Sequence, residues 1–101
     1  MLNFVLCDDN FSAIDKLSKM LNSIIISHKL KGQITFSTDN PIELLNYVKN
    51  NPTHVLLLDI DLKSSTSGLE IAEKIREIDK NVYIIFVTGH FEFGMVAYKY
   101  K

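Results

Sequence analysis

With 101 residues, 47% of them apolar and 23% charged, the chain has the size and balance of one globular domain and not two. A net charge of −1 excludes a broad basic surface for nucleic acid, and apolar runs such as Val55 to Leu58 fall far short of the ~20 residues that span a bilayer. Acidic Asp8 and Asp9 stand where a signal peptide would need an apolar stretch, and the single cysteine, Cys7, excludes an intrachain disulfide and fits a reducing cytosol.

In chain order, Phe4-Val5-Leu6-Cys7 reads as a short buried strand. From Phe11 to about Ile26, apolar Phe11, Ile14, Leu17, Leu21 and Ile24 step by three and four, the spacing of a helix with one buried stripe. Gln33 to Ser37 alternates weakly and places Ile34 and Phe36 on one face of an edge strand. Asn40-Pro41 opens a second helix, since Asn caps well and Pro is favoured at the first helical position. Ile42, Leu45 and Val48 give that helix its buried side, and Asn51-Pro52 ends it. Val55 to Leu58 is apolar on both faces, as a central strand is. Ser64 to Gly68 is a polar loop, after which Leu69, Ala72, Ile75 and Ile78 form a third helical stripe. Val82 to Val87, rich in β-branched and aromatic residues, reads as a fourth strand. A last helix is expected from near Phe91, with Met95 and Tyr98 on its inner side. This βαβαβαβα alternation predicts an α/β fold, a doubly wound parallel sheet covered by helices on both faces, with right-handed crossovers.

Ligands of such sheets bind beyond the carboxyl ends of the strands, where strand order reverses. Asp8 and Asp9 follow the first strand, Asp59 the third and Thr88 the fourth. Three clustered carboxylates repel one another, and a hard divalent cation such as Mg2+ resolves that conflict with oxygen ligands. A carboxylate is also a competent nucleophile toward phosphorus, giving an aspartyl phosphate. The cation would screen Asp59 against an incoming phosphoryl group, and Thr88 offers a hydroxyl to a phosphoryl oxygen. Each element alone has a blander explanation, because Asp and Asn after a strand serve equally as turn and helix cap. Their conjunction at three strand ends is what carries the functional reading.

Leu6-Cys7-Asp8-Asp9, Leu57-Leu58-Asp59-Ile60 and Phe86-Val87-Thr88-Gly89, in this order and spacing, resemble the three signatures of response-regulator receiver domains. The resemblance runs over the whole chain. It implies a flavodoxin-like receiver sheet of strand order 2-1-3-4-5, a phosphoacceptor at Asp59 and a switch hydroxyl at Thr88. It further implies Mg2+ held by Asp8, Asp9, Asp59 and the backbone carbonyl of Asp61, with Asp9 the closer of the first pair. Such a domain is a cytoplasmic signalling phosphoacceptor and not an enzyme with an external substrate. A sensor histidine kinase supplies its phosphoryl group, and an output domain reads the result.

A narrower resemblance is to the accessory-gene-regulator type of quorum-sensing regulators, whose output is a LytTR-type DNA-binding domain. It rests on Thr38-Asp39-Asn40-Pro41, on Leu58-Asp59-Ile60-Asp61-Leu62 with the long loop to Gly68, and on Ile84 through His90. The loop Leu62 to Gly68 lacks the proline usual in receivers, as in that subfamily. DNA contact would then fall to an output domain outside residues 1–101. One departure matters: receivers carry a lysine and a switch aromatic on or after a fifth strand, and the sequence stops at Lys101 before one can appear. Residues 1–101 are therefore expected to be a receiver domain truncated before the fifth strand. Lys99 and Lys101 are no substitutes, because a helix from near Phe91 would carry them away from the site. The fourth strand would be left at an edge, inviting a second copy to form a homodimer or the last helix to rearrange over it.

Cys7 reads as a small buried hydrophobe, since neighbouring carboxylates oppose the lowered pKa that a redox role needs. His28 and His54 read as surface or strand-end residues, whereas His90 resembles a position that tunes phosphoryl lifetime. Phe91, Phe93, Tyr98 and Tyr100 have helical spacing and suggest core or interface packing. The main rival is a haloacid-dehalogenase-type phosphatase using Asp59 and Asp61 as nucleophile and acid/base. Against it, Asp8-Asp9 precedes Asp59, whereas that family's acid pair follows the nucleophile. A flavodoxin-like binding module is a second rival, but Asp8 and Asp9 would repel a phosphate at the first loop.

Overall fold

A computed structural model describes residues 1–60, 67–91 and 94–100, with the backbone path alone from 88 onward. The elements are β1 (Leu2–Cys7), α1 (Phe11–Ser27), β2 (Gly32–Thr38), α2 (Pro41–Asn50), β3 (Val55–Asp59), α3 (Gly68–Ile78), β4 (Tyr83–Phe91) and β5 (Gly94–Tyr100).

Each helix starts where the sequence supplies a side-chain acceptor. Asn10 Oδ1 accepts from the N–H groups of Ser12 and Ala13 at 2.8 and 3.3 Å. Asn40 Oδ1 accepts from those of Ile42 and Glu43 at 2.8 and 3.4 Å, with Pro41 in the first turn. Ser67 Oγ accepts from Glu70 N–H at 3.3 Å. Each cap is worth ~1 kcal/mol. α1 closes with Leu30 N–H donating to Ile25 O and Lys29 N–H to Ile26 O, and this holds Lys29 at φ 52°. That is the left-handed position where glycine is usual.

The strand order is β2-β1-β3-β4-β5. β1 pairs in parallel with β2 and β3, and β3 pairs in parallel with β4. The order reverses between β1 and β3, which lie side by side. Alternation along the strands divides the core in two. Val5, Cys7, Leu56, Leu58, Ile84 and Phe86 pack on one face against Leu44 and Val48 of α2 and Ile71, Ala72 and Ile75 of α3. Phe4, Leu6 and Val87 pack on the other face against Leu17, Leu21 and Ile25 of α1. Val55, Leu57 and Ile85 complete that second face only half-buried. Among the described residues α1 is the one helix that covers it.

Three expectations change. The helical stripes are narrower than their apolar spacing suggested: Phe11, Ile24, Ile42, Leu69 and Ile78 are exposed, and the buried rows run through Ile25, Leu44 and Ile71 instead. A row of three-and-four steps has more than one solution where apolar residues neighbour each other, as in Ile24-Ile25-Ile26, and contact with the sheet selects one. Ile34 and Phe36 pack on opposite faces, not on one. The β1–β2 register slips between Phe4 and Val5, which face Ile34 and Phe36, so Thr35 is an extra residue that reverses the alternation. Phe36 then stacks on Tyr47 of α2, ring centroids 4.3 Å apart.

The largest change is at the C-terminal side. β4 runs to Phe91, and residues 94–100 return beside it in antiparallel pairing, with Val87 opposite Ala97 and Ile84 opposite Tyr100. The helix expected from near Phe91 is thus replaced by β5. The unpaired donors and acceptors of β4 offer this segment a ladder, and Val96, Tyr98 and Tyr100 suit a strand as well as a helix. The β4 edge is thereby paired within the chain. The fifth position in the sheet order is filled, but by an antiparallel strand.

Candidate functional site

Cys7 of β1 lies opposite Leu58 of β3, so Asp8 and Asp59 leave the sheet side by side at the reversal point. Carboxylate oxygens of Asp8, Asp9 and Asp59 lie within 4.8 Å of one another. Asp8 and Asp59 are each only 7% exposed, while Asp9 is half-buried. The helix cap is supplied by a different residue, Asn10, whereas the turn before it is made by Asp8 itself. Asp8 Oδ1 accepts the Asn10 N–H at 2.9 Å, which fixes the turn, and Asp8 N–H donates to Thr38 O at 3.2 Å, tying it to the end of β2.

Burial pushes the Asp8 carboxyl up to about 6 from its ordinary 3.8. The bond from Asn10 N–H opposes that shift, while the charges of Asp59 and Asp9, and a hydrogen bond with Asp9 that favours a protonated partner, add to it. The neighbouring thiol feels the same field. Burial first, then the charges of Asp8, Asp59, Asp39 and Asp9, push Cys7 up to about 12. With no exposed surface, Cys7 is the small buried hydrophobe its sequence context suggested.

Asp59 ends β3 opposite Val87 of β4, so Thr88 follows at the next position along the neighbouring strand. Ile60 N–H donates to Val87 O at 3.4 Å, and Gly68 N–H donates to Ile60 O at 3.1 Å. The start of α3 therefore sits directly on the peptide that follows Asp59. Asp61 lies outside the described residues. Lys99 pairs with Ile85, two positions short of Val87, and β5 carries it away from the strand end. His28 caps the end of α1 in an exposed position, and His54 is an exposed strand-end residue whose Nδ1 accepts from Asn3 N–H at 2.9 Å. Among the described residues, Asp8, Asp9 and Asp59 are the group with metal-binding geometry.

These donors fit a hard divalent cation. They are all oxygen, three carboxylates converge, and burial raises the cost of leaving their charge uncompensated. A carboxylate beside such a group has the chemistry of a nucleophile toward phosphorus, and a bound cation would offset the charge of a phosphoryl group.

The fold and pocket together define a doubly wound α/β domain with an acidic site at its topological switch point. Residues 4–99 match the response regulator receiver domain, and the chain belongs to that family, a class of signalling domain. It is similar to accessory gene regulator protein A of Staphylococcus aureus, at 30% identity over 101 residues, 99% of this chain and 42% of that protein. The chain thus spans well under half the length of the curated relatives it matches. Among solved structures, it resembles the RcsB response regulator of Salmonella typhimurium with a TM-score of 0.74 at 19% identity, covering 88% of this chain and 43% of that one. A response regulator from Burkholderia pseudomallei, described with a phosphorylated aspartic acid, calcium ion and citrate, aligns with a TM-score of 0.70 at 20% identity, covering 90% of this chain and 49% of that one. Both structural likenesses speak to the fold. The family match leaves the haloacid-dehalogenase-type alternative on Asp59 and Asp61 without support. No helix among the described residues is long and apolar enough to cross a membrane.

The seat of Gly68 on the peptide after Asp59 has no counterpart in the sequence pattern, where this glycine only closes a loop. A glycine immediately before a helical stripe is the available signal, and it is weak without knowledge of what the helix start touches.

Proposed function

We infer that this domain accepts a phosphoryl group on Asp59, with Mg2+ held by Asp8, Asp9, Asp59 and the backbone carbonyl of Asp61. The observation that carries the reading is the convergence of three carboxylates, two of them nearly buried, at the reversal point of the sheet. Asp59 attacks phosphorus as a carboxylate, and the leaving group departs on the opposite side, in line. When bound, the cation supplies charge stabilisation to the phosphoryl oxygens. Asp8 and Asp9 hold it, and the Asn10 N–H keeps Asp8 aimed. Thr88 serves as the hydroxyl that engages the phosphoryl oxygen and biases a two-state equilibrium toward the active form. The domain's only chemistry in this reading is its own phosphorylation and dephosphorylation.

The phosphoryl donor is a sensor histidine kinase, and the reader of the switch is an output domain beyond these residues. The relatives' greater length leaves room for such a domain. The likeness to the accessory gene regulators favours a LytTR-type DNA-binding output, quorum sensing as the setting and a cytoplasmic location. A homodimer is an arrangement in which the output would be read. The Burkholderia neighbour, with its phosphorylated aspartate and calcium ion, supports the chemistry by analogy.

The test is phosphorylation with acetyl phosphate and Mg2+, followed by mass. Wild type gains one phosphoryl group, chelation of Mg2+ abolishes the gain, and Asp59→Asn abolishes it with the fold intact. Full labelling of Asp59→Asn would move the site elsewhere.

A further inference from the structure

Gly68 is the first residue of α3, and it is buried. A Cβ built there meets the backbone carbonyl oxygen of Asp59 at a separation no real Cβ shows. It also lies 2.8 Å from Ile60 Cα and 3.1 Å from the Asp59 carbonyl carbon. Its φ is not in the left-handed region that glycine serves, so the requirement is close approach and not backbone freedom. The contact is fastened as well as close, because Gly68 N–H donates to Ile60 O at 3.1 Å. From the other side of the same residue, Ile60 N–H reaches the carbonyl oxygen of Val87, the residue before Thr88, at 3.4 Å.

From this geometry we propose that Gly68 is a positioning residue for the phosphoacceptor: the helix start seats on the Asp59–Ile60 backbone and fixes where the Asp59 carboxylate stands. The proposal rests on the phosphoacceptor reading of Asp59. The argument turns on what can yield when a methyl group is added. α3 is anchored by Ile71, Ala72 and Ile75, all essentially buried in the core. β3 is anchored by Leu56 and Leu58, both fully buried between its two neighbours. Asp59 is the last residue of the β3–β4 register, and the Ile60–Val87 bond beyond it is already long. The displacement therefore falls on the Asp59–Ile60 peptide. That peptide carries the attacking carboxylate and adjoins the strand position before Thr88. In-line attack tolerates little error, and a misplacement of about 1 Å costs on the order of 100-fold.

The experiment compares three full-length chains: wild type, Gly68→Ala and Ile75→Val. Ile75→Val removes one methyl from the same helix, two turns along from Gly68, and serves as a destabilised control. Acetyl phosphate labelling rates are measured well below the thermal midpoints, with saturating Mg2+. Gly68→Ala is expected to label about 10- to 100-fold more slowly, and Ile75→Val within about twofold of wild type. Amide hydrogen exchange of wild type gives a second reading that does not depend on isolating Gly68→Ala. Mg2+ with beryllium fluoride, a phosphoryl mimic, should slow exchange at Gly68 and Ile60 at least fivefold, since ligation at Asp59 stabilises the seated helix start. Exchange at Gly68 and Ile60 that ignores the mimic overturns the proposal. Equal rates in Gly68→Ala and wild type, or equal losses in Gly68→Ala and Ile75→Val, overturn the positioning role alone. A wild type that takes up no phosphoryl group overturns the phosphoacceptor reading and this proposal with it.

Discussion

Replacing Asp8 by asparagine should stabilise the metal-free domain at neutral pH while destroying its response to Mg2+. The side chain is nearly buried, and its carboxyl is held up at about 6 against an ordinary 3.8. Each pKa unit is worth about 1.4 kcal/mol, so keeping Asp8 ionised above pH 7 costs the fold at most about 3 kcal/mol. Asp9 beside it is only half-buried, so solvent screening reduces the figure to roughly 1–2 kcal/mol. The folded-state pKa is raised, so the stability linked to the Asp8 proton is fully present below the unfolded value and is lost as pH rises through about 6. The asparagine carries no charge at any pH, and its amide oxygen retains the acceptor for Asn10 N–H, 2.9 Å away in the wild type. Thermal melts in a chelator should therefore show Asp8→Asn with a midpoint higher by roughly 5–15 °C at about pH 7.5 and little changed at about pH 4. With excess Mg2+ the order narrows or reverses, because only the wild type gains binding energy; at a hundredfold excess over its Kd that gain is about 2.7 kcal/mol. An Asp8→Asn midpoint at or below wild type in chelator at neutral pH would refute the reasoning that these carboxylates are held together at a cost.

Other substitutions probe separate links. Thr88→Ala should spare Asp59 labelling more than signalling: one charge-assisted hydrogen bond, roughly 1.5–3 kcal/mol, changes the active population tenfold or more, read as output or phosphoryl lifetime. Cys7 should be silent to thiol reagents in the native state and react on unfolding, since it has no exposed surface and burial and acidic neighbours push it up to about 12; labelling at the rate of a free thiol would contradict its burial. Lys29→Gly should raise the urea midpoint by an amount worth roughly 0.5–1 kcal/mol, because Lys29 sits at φ 52° in the closing turn of α1.

The site was legible because it depends on few variables. An α/β sheet delivers the residue after each strand to one edge, and β1 and β3 are recognisable by composition alone. Placing Asp8 and Asp59 together needed only that the first and third strands neighbour each other. What the pocket costs was not legible in the same way. The raised Asp8 carboxyl depends on burial, which outweighs the opposing bond from Asn10 N–H, and Asp-Asp-Asn offers three equivalent caps on paper. Gly68 shows the opposite limit: its meaning lies wholly in what it touches, Asp59, nine positions earlier in the chain.

The misread elements share a cause. Periodicity assigns a face only while register is constant and only where a single spacing fits. Thr35 breaks the first condition, and one extra residue sends Ile34 to the α1 face and Phe36 to the α2 face. Residues 91–100 break the second. Their aromatic and apolar positions suit a helix at steps of three and four, and Met95-Val96-Ala97-Tyr98 suits a strand equally. A segment this balanced takes its conformation from its neighbour. The neighbour is β4, whose outer backbone would otherwise present a row of unpaired donors and acceptors beside the fully buried Ile84 and Phe86. Pairing Ile84 through Val87 with Tyr100 through Ala97 meets that demand, which no helix lying across the sheet can meet. The same competition would act on any further strand offered to β4, because only one can occupy its edge.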